Sequence, residues 1–175
     1  MTQLEEETPQ LEAAFTLNGD AQVTSVRVDE TLLEALRERA GITSVRGTCG
    51  IGVCGTCTVL LDGRPVSSCI TLAAQVNGRQ VTTAEGLAGA DNQLSPVQEA
   101  FVRRGAYQCS FCIPAMTLAV HAALNDPEAG RDVGTVREYL AGNLCRCGTY
   151  PQILQAVTDL VSSAPDHDKD GENTR

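Results

Sequence analysis

Arg46-Gly47-Thr48-Cys49-Gly50-Ile51-Gly52-Val53-Cys54-Gly55-Thr56-Cys57 places three cysteines and four glycines in twelve residues, and its reading decides the fold. With Cys69 it gives C-x4-C-x2-C-x11-C. A loop this rich in glycine can take unusual backbone angles and bring its N–H groups close to sulfur, which suits an anionic group held by thiolates. The acidic start of the chain has neither the basic nor the apolar region of an export signal, so a cytoplasmic location is expected. Thiols there stay reduced, and eight clustered cysteines then point to metal rather than to disulfides.

The first three cysteines have the plant-type ferredoxin spacing for a 2Fe-2S cluster. Structural zinc and ordinary buried thiols are the alternatives. Zinc sites are usually built from paired C-x2-C knuckles, whereas this stretch combines a four-residue gap, a glycine-filled loop and a distant fourth cysteine. The remaining cysteines form a second group. Gln108-Cys109-Ser110-Phe111-Cys112 is followed after 32 residues by Cys145-Arg146-Cys147, a pattern that on its own fits zinc or iron.

Outward from these motifs the chain changes character. From Phe15 to Val81 it reads as short strands broken by Asn18-Gly19, Asp62-Gly63 and Asn77-Gly78, dipeptides that favour reversal of a strand. One helix interrupts it at Thr31 to Ala40, with a Thr31/Glu34 capping box, a Leu32, Leu33, Leu36 face and Gly41 as the stop. After Glu85 helical periods take over. Ser95-Pro96-Val97-Gln98 opens one helix; Ile113 to Leu124 is a second, apolar on nearly every side; Val133, Val136 and Leu140 mark a third, ended at Gly142; Thr149-Tyr150-Pro151-Gln152 opens a fourth. Four such helices can bury one core. The all-round apolarity of the second favours faces covered by partner chains, although an intrachain core gives the same pattern. Cys109 and Cys112 lie just before that helix and Cys145 and Cys147 between the third and fourth, so four thiolates can meet at one end of the bundle, near a helix start that favours negative charge.

The net charge of −9 argues against nucleic acid or an anionic membrane surface as partner, and no apolar run approaches the ~20 residues of a membrane span. Much of the charge sits at the ends, in Glu5, Glu6, Glu7 and Glu12 and in a tail carrying Asp166, Asp168, Asp170 and Glu172; both ends read as disordered. No catalytic constellation is expected: the two histidines are His121, in the apolar helix, and His167, in the tail, and no P-loop or dinucleotide fingerprint occurs.

Both cysteine quartets together, with Gln108 and Asn143-Leu144 before Cys145, closely resemble the small iron-sulfur subunit of the xanthine oxidase family of molybdenum hydroxylases over about residues 13 to 160. The resemblance implies an α+β chain: an acidic extension at 1–12, a β-grasp plant-type ferredoxin domain at 13–84, a four-helix bundle domain at 85–163 and a tail at 164–175. Each domain would hold one 2Fe-2S cluster. Cys109, Cys112, Cys145 and Cys147 would ligate the one nearest the molybdenum cofactor, and Cys49, Cys54, Cys57 and Cys69 the one nearest the electron exit. Gln108 matches a glutamine that contacts the pterin; the other reading is a helix cap. The implied partners are a large catalytic subunit binding molybdopterin, as its cytosine dinucleotide, and a medium FAD-binding subunit or a cytochrome acceptor. This chain would then be the electron-transfer part of a multi-subunit oxidoreductase. A freestanding two-cluster ferredoxin and a zinc-stabilised interaction protein are the alternatives.

Several positions depart from the commonest family text. Ser110 and Ala115 replace glycine, Ile113 replaces threonine, and Gly148-Thr149-Tyr150 inverts Thr-Gly-Tyr. None is expected to touch a ligand. The Gly-Thr-Tyr form resembles the isoquinoline and aldehyde oxidoreductase branch, some members of which pass electrons to a cytochrome.

Overall fold

A computed structural model of the chain describes residues 8–89, 91, 93–127 and 132–163. It is an α+β structure with a five-stranded mixed sheet followed by helices. The expected tail at 164–175 and residues 1–7 lie outside the described residues.

The first hairpin joins β1 (Gln10–Leu17) to β2 (Asp20–Arg27), with Asn18 and Gly19 both at positive φ, the left-handed turn that asparagine tolerates and glycine, lacking a Cβ, adopts freely. Pairing begins at Gln10 opposite Arg27, so residues 10 to 12, expected in the N-terminal extension, belong to the sheet. β3 (Thr58–Leu61) and β4 (Arg64–Ser67) form a second hairpin through Asp62-Gly63. Asn77-Gly78 behaves differently from its expected role. It turns the chain from a 3-10 segment at Ala73–Val76 into β5 (Gln80–Thr82), which runs parallel to β1 and antiparallel to β3. The Asn77 side chain accepts the Ala14 N–H at 2.9 Å, so the dipeptide fastens a crossover onto β1 instead of closing a hairpin. The sheet order is β2-β1-β5-β3-β4.

One face of the sheet buries Ala13, Phe15, Leu17, Val26, Val59, Leu61 and Val81 against Leu32 and Leu36. Those leucines come from α1 (Leu32–Glu34) and the widened, π-helical turn Ala35–Arg39 that continues it. The Thr31/Glu34 capping box is present, and the wider turn lets Ala40 N–H reach Ala35 O at 3.2 Å before Gly41 ends the element. Beneath it the carboxylate of Glu30, 1 % exposed, takes a two-pronged contact from Arg39 at 2.6 and 2.7 Å and the Arg27 N–H at 3.0 Å.

α2 (Pro96–Arg103), α3 (Ile113–Asn125), α4 (Val133–Tyr139) and α5 (Tyr150–Ser162) follow the expected start signals, and a 3-10 turn at Leu140–Gly142 extends α4. They share a core of Val97, Phe101, Met116, Val120, Val136, Leu140, Ile153 and Val157. The all-round apolarity of α3 has an intrachain cause. Its far side, Leu118 and Ala122, packs with Leu87 on Leu60 of β3, so α3 is wedged between the other helices and the sheet. β3 is therefore buried on both faces. Among the described residues no helix is long and apolar enough to cross a membrane.

Candidate metal centres

In the sheet half, positive φ at Gly50, Gly52 and Gly55 curls the loop around Cys49. The N–H of Ile51, the thiol and N–H of Cys54 and the N–H of Val53 converge on the Cys49 sulfur and bring its pKa down to about 6. At Gly52 the left-handed angle is compounded by space, because a Cβ there would lie 2.7 Å from the Ile70 side chain. The second hairpin then returns Cys69 to Cys57: Ser68 O–H donates to Cys57 O at 2.7 Å and Ser68 N–H at 3.3 Å. Burial, then the neighbouring Cys57 thiol, pushes Cys69 up to about 11, and Cys49 also acts on it, so the Cys57/Cys69 pair lies near Cys49 and its partner Cys54. Thr56, nearly buried, lies 3.3 Å from Cys54 Sγ, 3.1 Å from Arg46 O and 2.9 Å from Thr48 Oγ1.

In the helical half two segments meet. Cys112 occupies the N-cap of α3, buried, and its thiol is pushed up to about 12, chiefly by burial and next by Cys145. Cys109 faces Cys147 and is lowered by the N–H of Phe111, then by that thiol. Between them Ser110 holds φ 62, a left-handed angle that costs a non-glycine residue. At Cys145 burial raises the pKa, yet the Thr149 N–H and hydroxyl, followed by Cys112 and the Cys147 N–H, outweigh it and bring the thiol to about 7. Thr149 Oγ1 lies 3.5 Å from Cys145 Sγ, so one of the departing positions, none of which was expected to touch a ligand, reaches the sulfur of an expected one. The reason is Gly148, whose φ of 74 folds residue 149 back under residue 145. Tyr150 closes the loop, its Oη accepting the Cys145 N–H at 2.8 Å and donating to Asn143 O at 3.0 Å.

Gln108 is exposed, and its Nε2 donates to Cys147 O at 3.1 Å. It therefore ties the two cysteine segments together and caps no helix. His121 is half-buried on α3 with its ring beside the Asn125 amide, and burial lowers its basicity.

The two sites are joined by a seam. Leu144 N–H donates to Cys54 O at 2.9 Å. The buried amide of Asn143 donates to Gly55 O at 2.8 Å and Thr58 Oγ1 at 3.2 Å. Gly55 has no room for a side chain: a Cβ would lie 2.7 Å from Asn143 Nδ2 and closer still to Gly142 O. Arg46 also crosses from the first loop to the second, donating to Ser110 O at 2.8 Å with its guanidinium 5.0 Å from the Phe111 ring centre. Of these residues, Asn143 and Arg46 stood in quoted motifs without a role, and Thr149 was read as the start of a helix and as part of a departure from the family text, with no contact to sulfur expected.

All eight thiols are free. They gather in facing pairs, Cys49 with Cys54, Cys57 with Cys69, Cys109 with Cys147 and Cys112 with Cys145. Among the described residues no three Cys, His, Asp or Glu side chains crowd one point as a single ion requires.

Comparison with known proteins agrees. Residues 15–88 match the 2Fe-2S iron-sulfur cluster binding domain and residues 83–158 the [2Fe-2S] binding domain. The chain is 42% identical over 150 residues to the nicotine 6-hydroxylase small subunit of Paenarthrobacter nicotinovorans, covering 85% of this chain and 88% of that one. It is 45% identical over 145 residues to the xanthine dehydrogenase iron-sulfur-binding subunit of Escherichia coli O157:H7, covering 82% and 90%. Among solved structures, a chain of quinoline 2-oxidoreductase from Pseudomonas putida 86 superposes with a TM-score of 0.79 at 39% identity, covering 87% and 93%. Aldehyde oxidoreductase from Desulfovibrio gigas does so with 0.80 at 35%, over 87% of this chain and 17% of that longer one. With its two 2Fe-2S-binding regions, the chain belongs to the iron-sulfur, electron-transferring subunits of the xanthine oxidase family of molybdenum hydroxylases.

Proposed function

We propose that Cys49, Cys54, Cys57 and Cys69 hold one 2Fe-2S cluster in a β-grasp domain and that Cys109, Cys112, Cys145 and Cys147 hold the other in a four-helix bundle domain, divided near residue 85. When bound, each cluster supplies a site that accepts and passes on one electron at a time. The observation that carries the reading is the seam: Cys54 and Cys145 are linked by Cys54 C=O···H–N Leu144 and one peptide step. That is a short route between the two thiolate groups, made of one hydrogen bond and covalent bonds.

The chain's residues prepare both sites. N–H groups at Cys49 and the Thr149 hydroxyl at Cys145 favour the thiolates that iron needs. Gln108 fixes Cys147 through its carbonyl and, being exposed, can offer its own oxygen to the pterin of the large subunit. Tyr107, Phe111 and Leu144, all more than two-fifths exposed, surround this site and make the face for that subunit. At the other site Ile51, Val53 and Ile70, each at least 60% exposed, form a collar, and residues 47–57 and 66–73 carry no charged side chain. A neutral apolar collar suits an acceptor that stays bound, the flavin subunit, better than a cytochrome that comes and goes on charged contacts.

The test is substitution in the intact complex. Cys54→Ser or Cys57→Ser should remove one centre's iron and cut turnover with the physiological acceptor at least about 100-fold while molybdenum is still reduced by substrate. Cys109→Ser or Cys145→Ser should remove the other centre and stop electrons next to molybdenum. Full turnover after loss of either centre, shown by iron analysis, overturns this wiring.

A further inference from the structure

The two thiolate groups differ in what reaches their sulfurs. At Cys54 the one proton of the Thr56 hydroxyl is contested, with Thr48 Oγ1 at 2.9 Å, Arg46 O at 3.1 Å and Cys54 Sγ at 3.3 Å. At Cys145 the position is simpler. Thr149 is 1% exposed, its Oγ1 is 3.5 Å from Cys145 Sγ, and among the described residues it has no other side-chain hydrogen-bond partner. A free thiol would donate its own proton across this contact, but an iron-bound thiolate has none, so only the Thr149 O–H can donate there. The geometry is fixed on both sides. Gly148 sets the fold-back, Thr149 O accepts the Ile153 N–H at 3.1 Å in the first turn of α5, and Tyr150 Oη holds both the Cys145 N–H and Asn143 O.

We propose that Thr149 is a positioning residue for electron flow: its hydroxyl, hydrogen-bonded to the Cys145 sulfur, raises the reduction potential of the helical-half cluster. The inference rests on the ligand assignment above. In the step concerned, one electron arriving from the molybdenum side turns one ferric ion ferrous; no bond breaks and no proton moves. The added negative charge spreads onto the ligand sulfurs, and a donor aimed at one of them favours the reduced state. Thr149 thereby makes this centre the readier acceptor for electrons leaving molybdenum, while the contested proton of Thr56 does less for the other centre.

The experiment is a redox titration of the intact complex monitored by electron paramagnetic resonance, with Thr149→Val, Thr149→Ala and Thr149→Ser. Valine keeps the branched shape and loses the donor. At a fixed potential the reduced-to-oxidised ratio of the helical-half centre should fall about tenfold in Thr149→Val, which is about 59 mV for a one-electron couple. Serine should stay near the wild type, and the sheet-half centre should not move in any variant. An unchanged potential in a fully iron-loaded Val variant overturns the proposal, as does an equal shift of both centres. If Val alone fails to load iron, the Ala and Ser pair decides in the same way. Loss of that centre's iron in both Val and Ala also overturns it, because the hydroxyl would then hold the loop and not tune the sulfur. Failure of the ligand assignment would look different: the wild type itself would lack about four irons per chain and two distinct signals.

Discussion

The sheet-half and helical-half sites gather the same four thiols by opposite means. The first is nearly a local object, with three sulfurs on one loop of residues 47–57 and the fourth returned by the next hairpin. Its control over sulfur comes from backbone N–H groups freed by glycine angles. The second exists only once α3 and α5 are packed, since 32 residues separate its halves, and there the N–H groups of Phe111, Thr149 and Cys147 are joined by a side chain, the Thr149 hydroxyl, while Tyr150 holds the Cys145 N–H. A site made by a loop depends on backbone angles; a site made by packing depends on the core beneath it.

Substitutions can break or sharpen that contrast. The largest effect is expected at the seam that the sites share. Gly55→Ala forces a Cβ against Asn143 and the Gly142 backbone at φ 68, and should cost about 3 kcal/mol. It should weaken both sites together, seen as a lower denaturation midpoint and faster loss of colour from both centres. A smaller effect, confined to the sheet half, is expected from Arg39→Ala. Removing a partner from a fully buried pair costs about 3–5 kcal/mol, but Arg39 is 35% exposed, so about 2 kcal/mol is expected. The Arg39 guanidinium holds the Glu30 carboxyl below its ordinary 4.5, so the pair's contribution is complete above that pH and fades as pH falls through the lowered value. Denaturation measured from pH 7 downward should show that loss in the wild type and a flatter profile in Glu30→Gln. The smallest effect is a gain. Ser110→Gly relieves the left-handed angle and, after the entropy of glycine, should stabilise the helical-half site by about 0.5 kcal/mol, with iron content unchanged.

What could be read beforehand follows the same division. The C-x4-C-x2-C loop, the Asn18-Gly19 and Asp62-Gly63 hairpins and the Ser95 and Thr31 caps are each decided within a few residues, and each is where it was expected. Asn77-Gly78 was not legible, because its strand pairs in parallel with β1, some sixty residues earlier, and local turn chemistry does not carry that choice. The ion pair of Glu30 and Arg39 was hidden too; an acidic residue before a helix looks like surface until the sheet closes over it. Thr149 escaped because its contact depends on the reversal at Gly148 and on α5 being seated, neither visible in the order of three letters. The apolar flank of α3 was read correctly as covered, but its cover is Leu60 of the same chain.

The seam has a consequence for anyone recombining such chains. Gly55 and Asn143 lie in different halves, yet each occupies the space and satisfies the bonds that the other leaves. They are a matched lock and key within one polypeptide. A chimaera joining the sheet half of this chain to the helical half of a relative inherits a working junction only if that relative supplies an asparagine at the same place; the two residues are a single unit of exchange.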